Sequence, residues 1–332
     1  MPHQITVQPS GHQFEVDDHE SVLAGALRQG IMLPYSCRGG SCGTCFGKVL
    51  EGEIDYPRGF PLGLMESDHE KGYALFCVAQ ARSDLLIDIQ EVRSRDEIRI
   101  KTLPAEVVSV NPLIPDVMEV RLKLPASEKL VFRAGQHLDF LLRNKKRRSF
   151  AIANAPTNHE YLELHIRRVP SDEFSDLVFK QFHEGTLVHI EAPLGDFYVR
   201  EESNRPLILM ASGGGFAPMK SIVEQLRAEG DTRPVHLYWG AQTRRDLYHH
   251  KLARHWAMGE RFEYTPVLSA EDGWQGRAGD VHQAIAEDFA DLSGFDVYMA
   301  GPPTMIEAVT RQFQAQGLPP EQLYVATFTT SA

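Results

Sequence analysis

Cysteine is scarce in this chain of 332 residues: there are four, at positions 37, 42, 45 and 77, all in the first quarter. So few thiols exclude the disulfide framework of a small secreted domain, and their clustering points to a metal site instead. Long apolar runs are also missing. None approaches the roughly 18 residues of a membrane span, and Met1 to Val7 carry no basic leader, so a cytoplasmic protein without membrane contact is expected. Basic residues are in deficit, 34 Lys plus Arg against 45 Asp plus Glu, for a formal net charge of -11. That sign repels nucleic-acid phosphates and anionic lipid, which sets nucleic acid aside as a partner. There is no internal repeat, and the only biased tract is Lys145-Lys146-Arg147-Arg148.

What is present is ordinary globular composition, 42% apolar and 24% charged, in a length that suits two domains, or three if one is small. Residues 1–93 read as a small α+β unit: strands at Ile5–Gln8, Gln13–Val16 and Leu85–Gln90, a helix over Ser21–Gly30, and a Gly/Cys loop. The charge-dense stretch Glu91–Lys101 before Pro104 reads as a linker with an extended segment, placed at 94–103. Residues 104–200 alternate as strands at Ala105–Val110, Val117–Leu124, His137–Leu142, Ser149–Ala153, Tyr161–Arg167 and Leu187–Ala192, the pattern of an antiparallel β-barrel. From 201 to 332 the rhythm is strand then helix. Strands start at Leu207, Val235, Phe262, Val297 and Tyr324, and helices at Ala217, Asp246, Gly279 and Thr304, which predicts an α/β domain with a parallel sheet.

Cys37, Cys42 and Cys45, with Cys77 a long step further on, form C-x4-C-x2-C…C, the plant-type spacing of a [2Fe–2S] cluster. Glycines at 39, 40 and 43 let the loop turn backbone N–H groups toward the sulfides. A structural zinc is the alternative, but it ordinarily takes two short Cys/His pairs. Ser36 and Arg38 flank the first ligand, and Phe76, Val78 and Ala79 surround the fourth with apolar bulk. In the last domain, Leu207–Ala211 runs into Ser212-Gly213-Gly214-Gly215-Phe216-Ala217-Pro218. Glycines between a strand and a helix let a pyrophosphate approach backbone amides at the helix start, although the string is not G-x-G-x-x-G. Gly301-Pro302-Pro303-Thr304-Met305 makes a similar turn after a later strand. The fourteen histidines show no ligand spacing, and His249-His250 reads as an exposed helix face.

These strings resemble the ferredoxin–NADP reductase superfamily. Arg148-Ser149-Phe150-Ala151 is similar to its Arg-x-Tyr/Phe-Ser flavin motif, and Ser171-Asp172-Glu173-Phe174-Ser175 to its Gly-x-x-Ser/Thr segment. Phe132 to Gln136 and Pro193 to Phe197 flank the motif as in that superfamily. The two glycine loops resemble its Gly-Gly-Thr-Gly-x-Ala-Pro and Gly-Pro-x-x-Met loops. The order of domains looks like that of the three-domain NADH-dependent reductases of multicomponent oxygenases, and more closely like CDP-6-deoxy-hexulose (glucoseen) dehydrase reductases. The closer match lies in the string Arg148 to Pro156, including Ile152, and in Pro206 to Lys220.

The resemblance implies a β-grasp ferredoxin domain, a flavin barrel and a nucleotide domain. It also implies hydride transfer from NADH to FAD and single electrons passing through the cluster to an oxygenase or dehydrase component. FAD is implied over FMN, and NADH over NADPH, because Glu271 and Asp272 end the strand that would meet the adenosine ribose and repel a 2′-phosphate; Arg244 and Arg245 oppose this. Arg148 is then expected on the diphosphate, with Ser149 and Ile152 beside it, Phe150 on the ring, and Ser175 donating to phosphate. Gly213, Gly214, Gly215, Pro218, Gly301 and Pro302 are expected on the dinucleotide. Arg277 is expected on its phosphate or ribose, or else as a surface salt bridge. Phe150, Ala151, Ala300 and Phe328 are expected at the reacting rings. Ala151, Gly214 and Ala300 replace the family's Ser, Thr and Cys or Ser, which implies hydride transfer below the family's best rate. A redox sensor or slow shuttle with little NADH turnover is the alternative reading.

Overall fold

In a computed structural model of the chain, the residues described are 2–35, 38–41, 43–89, 98, 100–142, 146–170 and 172–327. Cys37, Cys42, Ser36, Lys145, Ser171, Phe328 and residues 94–97 and 99 of the expected linker lie outside them. The chain divides into two compact units, Met1–Arg99 and Ile100–Ala332.

In the first unit β1 (His3–Gln8) pairs antiparallel with β2 (Gln13–Val16), and α1 (Val22–Arg28) follows. The helix starts at Ser21 because its hydroxyl accepts the Ala24 N–H at 3.2 Å, which satisfies one of the first-turn donors. Then come β3 (Phe46–Glu51), β4 (Ile54–Asp55), α2 (Glu66–His69), β5 (Tyr73–Leu75), β6 (Gln80–Ala81) and β7 (Leu85–Asp88). The main sheet has the order β2-β1-β7-β3-β5, with β1 and β7 parallel. Gly25 lets α1 lie close on β2: a Cβ there would stand 2.3 Å from Val16 Cγ1. The sequence reading missed β3 and β5. Gly47 and the exposed Phe46 and Leu50 break the alternation that marks a half-buried strand.

The second unit begins with β8 (Lys101–Ile114), β9 (Val117–Lys123), β10 (His137–Leu141), β11 (Arg147–Ala151), β12 (Leu162–Arg167), α3 (Glu173–Gln181) and β13 (Leu187–Leu194). The strand β8 thus starts at Lys101, inside the stretch assigned to the linker. All six expected strands are present in one antiparallel sheet, order β11-β10-β13-β8-β9-β12. The Ala153 N–H donates to the Glu163 carbonyl at 2.7 Å, so the two ends of that order meet and the sheet curls into a barrel. The Phe132–Gln136 and Pro193–Phe197 segments meet as well, with Gln136 Nε2 donating to the Gly195 carbonyl at 2.9 Å.

The chain continues as β14 (Leu207–Ser212), α4 (Phe216–Glu229), β15 (Val235–Ala241), α5 (His250–Trp256), β16 (Phe262–Leu268), β17 (Arg277–Ala278), α6 (Val281–Asp288), β18 (Asp296–Gly301), α7 (Pro303–Ala315) and β19 (Leu323–Thr327). These strands form a parallel sheet, order β17-β16-β15-β14-β18-β19. The helix expected from Asp246 begins only at His250. Before it, Thr243 and Asp246 cap each other's backbone N–H groups around a single turn and close that turn off.

Candidate functional site

Cys45 ends the loop before β3 and Cys77 follows β5; they are 2% and 8% exposed. The Cys77 N–H points at Cys45 Sγ at 3.4 Å, and the Phe76 N–H bonds the Cys45 carbonyl at 3.2 Å. The first two amides of α1, from Val22 and Leu23, donate to the carbonyls of Ala79 and Phe76, which ties the Cys77 segment to the helix. Two buried thiols, one accepting a backbone N–H, in a wall of Phe76 and Ala79 form a donor set that fits an iron–sulfur cluster.

In the second unit, β14 and β18 are neighbours, and the chain leaves β14 for β15 on one side and returns to β18 on the other. Their carboxyl ends therefore flank the crevice where open α/β sheets bind nucleotides. Gly213–Gly215 follow the first and Gly301–Pro302 the second. Gly213 has φ +52 and Gly214 is exposed with open space above it. Gly215 is buried, and a Cβ on it would stand 2.1 Å from the Ala300 oxygen. Pro218 is buried in the first turn of α4, and Ala300 is fully buried. Ala151 and Ala153 of the barrel pack directly on Ala217, so the strand bearing the flavin motif abuts the helix that follows the glycine loop.

Several of the expected residues have partners within the protein. Ser175 is 2% exposed, and its hydroxyl bonds the Val169 backbone, accepting from N–H at 3.1 Å and donating to the carbonyl at 3.2 Å. Ser149 is likewise committed, donating to Asp139 Oδ1 at 2.5 Å, and Ile152 is fully buried core. Arg277 takes the salt-bridge alternative, meeting Asp288 at 2.5 Å, Glu287 at 3.2 Å and the Ala284 carbonyl at 3.1 Å, which ties β17 to α6. His249 is half-buried, not exposed, its ring 5.1 Å from that of His165. Arg148 does face the start of α3, but its partner there is Asp172, at 3.2 and 3.1 Å from Nε and Nη2. Phe150 is half-buried against Phe140 and Phe174.

Sequence reading missed a buried polar network where the barrel meets α4. On β12 the even positions Leu162, Leu164 and Ile166 fill the barrel, so Glu163 and His165 point the other way. There Lys220 Nζ lies 2.9 Å from Glu163 Oε1 and 2.8 Å from Glu224 Oε1, and His165 Nε2 lies 3.1 Å from Glu163 Oε1. Glu163, His165 and His249 have metal-ligand spacing, yet the cation position at Glu163 is taken by the Lys220 ammonium. The alternation of β12 was the available signal; its partners came from elsewhere in the chain.

Burial, then the charges of His165 and Lys220, lower the His249 pKa from the ordinary 6.5 to about 3. Over that interval the unfolded chain binds a proton that the folded chain refuses, so stability falls as pH drops from about 6.5 toward 3. At about 1.4 kcal/mol per unit, His249 alone accounts for roughly 2 kcal/mol lost by pH 5. His249→Gln should therefore narrow the gap between urea midpoints at pH 7 and pH 5. An unchanged gap would show that the imidazole titrates freely.

Residues 5–82 match the 2Fe-2S iron-sulfur cluster binding domain, 104–198 the Oxidoreductase FAD-binding domain and 209–311 the Oxidoreductase NAD-binding domain. The CDP-6-deoxy-L-threo-D-glycero-4-hexulose-3-dehydrase reductase of Yersinia pestis is 37% identical over 100% of both chains. The reductase component DmpP of phenol 2-monooxygenase from Pseudomonas sp. (strain CF600) is 32% identical over 100% of this chain and 96% of its own. Among solved structures, the Amycolatopsis cytochrome P450 reductase GcoB matches with TM-score 0.82 and 30% identity over 99% of this chain and 100% of that one. A cysteine-loop domain, a flavin-type barrel and a nucleotide-type sheet in one chain define an electron-transfer oxidoreductase. The chain belongs to the family of iron–sulfur flavoprotein reductases built from a [2Fe–2S] ferredoxin domain, an FAD domain and an NAD domain. No helix among the described residues is long and apolar enough to cross a membrane.

Proposed function

We propose that the chain is an NADH-dependent reductase component working in the cytoplasm, which delivers electrons to a separate dehydrase or oxygenase protein. The observation that carries this reading is the contact of Ala151 and Ala153 with Ala217, because it sets the end of the flavin-motif strand against the helix start that follows the nucleotide loop. When bound, the flavin supplies conversion of a hydride donor into single-electron transfers, and the cluster a one-electron relay.

The chain's own residues hold and orient these groups. Cys37, Cys42, Cys45 and Cys77 are the cluster ligands. Arg148 would hold the diphosphate by a charge-assisted contact, and Phe150 would cover the flavin ring. Gly213 and Gly214 give the dinucleotide access to backbone amides that side chains would cover, and Gly301–Pro302 line the other wall of the crevice. NADH is preferred because Glu271 already engages the nearest cation: it accepts the Arg244 N–H at 3.1 Å and faces its guanidinium at 3.5 Å, while Arg244 lies over Trp274. That leaves Arg244 poorly placed for a 2′-phosphate.

The purified chain should contain two irons and two sulfides per polypeptide, release FAD in acid, and oxidise NADH with ferricyanide. Its kcat/KM for NADH should exceed that for NADPH by about tenfold or more. Zinc without sulfide would refute the cluster ligands, FMN alone the diphosphate reading, and equal constants the NADH preference. Negligible NADH oxidation would restore the sensor alternative.

A further inference from the structure

The start of α3 carries an unusual load of negative charge for a place expected to receive a diphosphate. Asp172 is the N-cap, Glu173 follows at the first helical position, and Asp176 completes the turn. The three arginines nearby are each already matched to a carboxylate: Arg147 to Asp139 and Glu191, Arg168 to Asp176, and Arg148 to Asp172. Only the last of these pairs joins the flavin-motif strand to the helix start. Asp172 serves two partners at once, its Oδ2 accepting the Ser175 N–H at 2.8 Å and its Oδ1 meeting Nε and Nη2 of Arg148. Its side chain is 11% exposed and that of Arg148 20%, so water screens the pair only partly. The residue stands three before Ser175, where the Gly-x-x-Ser pattern has a glycine and hence no side chain at all.

We propose that Asp172 is an internal competitor of the flavin diphosphate for Arg148, so that this chain holds FAD exchangeably rather than permanently. The inference rests on the flavin reading of Arg148. An arriving diphosphate and the Asp172 carboxylate seek the same guanidinium edge, and both seek the amides at the start of α3. Binding therefore requires the Arg148–Asp172 pair to open, and release is assisted by its closing. The carboxylate also gives the flavin-free chain a complete site, with the guanidinium paired and the helix capped, so loss of FAD leaves no unsatisfied charge.

The test is dilution of the holoprotein from micromolar to nanomolar concentrations, reading recovery of flavin fluorescence as FAD leaves. Asp172→Asn keeps a good helix cap and removes the charge. It is expected to lower the FAD Kd by about fivefold to tenfold, and Arg148→Ala to raise it by about tenfold or more. In the double variant the gain from Asp172→Asn should vanish, because the competition acts through Arg148. An unchanged or higher Kd for Asp172→Asn overturns the proposal while leaving the flavin site standing. The same gain in the Arg148→Ala background also overturns it, since that is plain repulsion between charges. If Arg148→Ala leaves the Kd unchanged, the flavin reading itself fails and the competition with it.

Discussion

Lys220→Met is expected to destabilise the second unit by about 3–5 kcal/mol, because it removes one partner of a buried ion pair and strands the other. Lys220 is 6% exposed and Glu163 3% exposed. Besides the two carboxylates, the ammonium donates to the Ala153 carbonyl at 3.3 Å, and the adjacent Ser221 hydroxyl donates to the Asn154 carbonyl at 2.7 Å. Without the lysine, the nearest cation to Glu163 is Arg121 at 3.6 Å. The acid side of the stability profile should change with it. Burial by itself would raise the Glu163 carboxyl, but the His165 hydrogen bond and the Lys220 charge outweigh it and hold the pKa at about 2, against an ordinary 4.5. A depressed carboxyl contributes stability that is present above about 4.5 and is lost as pH falls toward 2. In the variant that contribution shrinks. Urea unfolding at neutral pH measures the main effect, and adding Glu163→Gln should recover part of it, since no buried charge is then left alone. A loss below about 1 kcal/mol would mean that water reaches the pair and replaces the ammonium.

Gly215→Ala should be nearly as damaging and more specific. The added methyl would lie 2.1 Å from the Ala300 oxygen and 2.7 Å from its carbonyl carbon. These are backbone atoms of the neighbouring strand, so no rotamer change relieves the clash, and β14 and β18 must part where the dinucleotide crevice opens. We expect a loss of about 3 kcal/mol in stability and about 100-fold in NADH affinity, with iron, sulfide and FAD content retained. Gly214→Ala is the control: its Cβ would meet nothing within 4 Å, so stability should stay within about 0.5 kcal/mol of the parent. Equal melting of the two variants would refute the close approach of the strands.

Sequence by itself determined the features that local rules govern. Cysteine spacing within one loop predicts the cluster, because C-x4-C-x2-C is the plant-type [2Fe–2S] pattern. The alternation of β9, β10 and β12, and the apolar strands β14, β15 and β18 each followed by an amphipathic helix, follow from which face each element buries. Glycines between β14 and α4 mark a crevice because backbone comes close to backbone there, as Gly215 does to Ala300. The tertiary structure decided which polar groups meet. Glu163, His165, Lys220, Glu224 and His249 come from β12, α4 and the start of α5, and nothing local to any of them names the others. The same holds where expectation and outcome differ. Arg277 is drawn to Asp288 of α6, His249 packs against His165 of the barrel, and Ser175 bonds the Val169 backbone. A side chain's hydrogen-bonding capacity is local chemistry, but its partner is whichever complementary group the packed chain brings within about 3 Å.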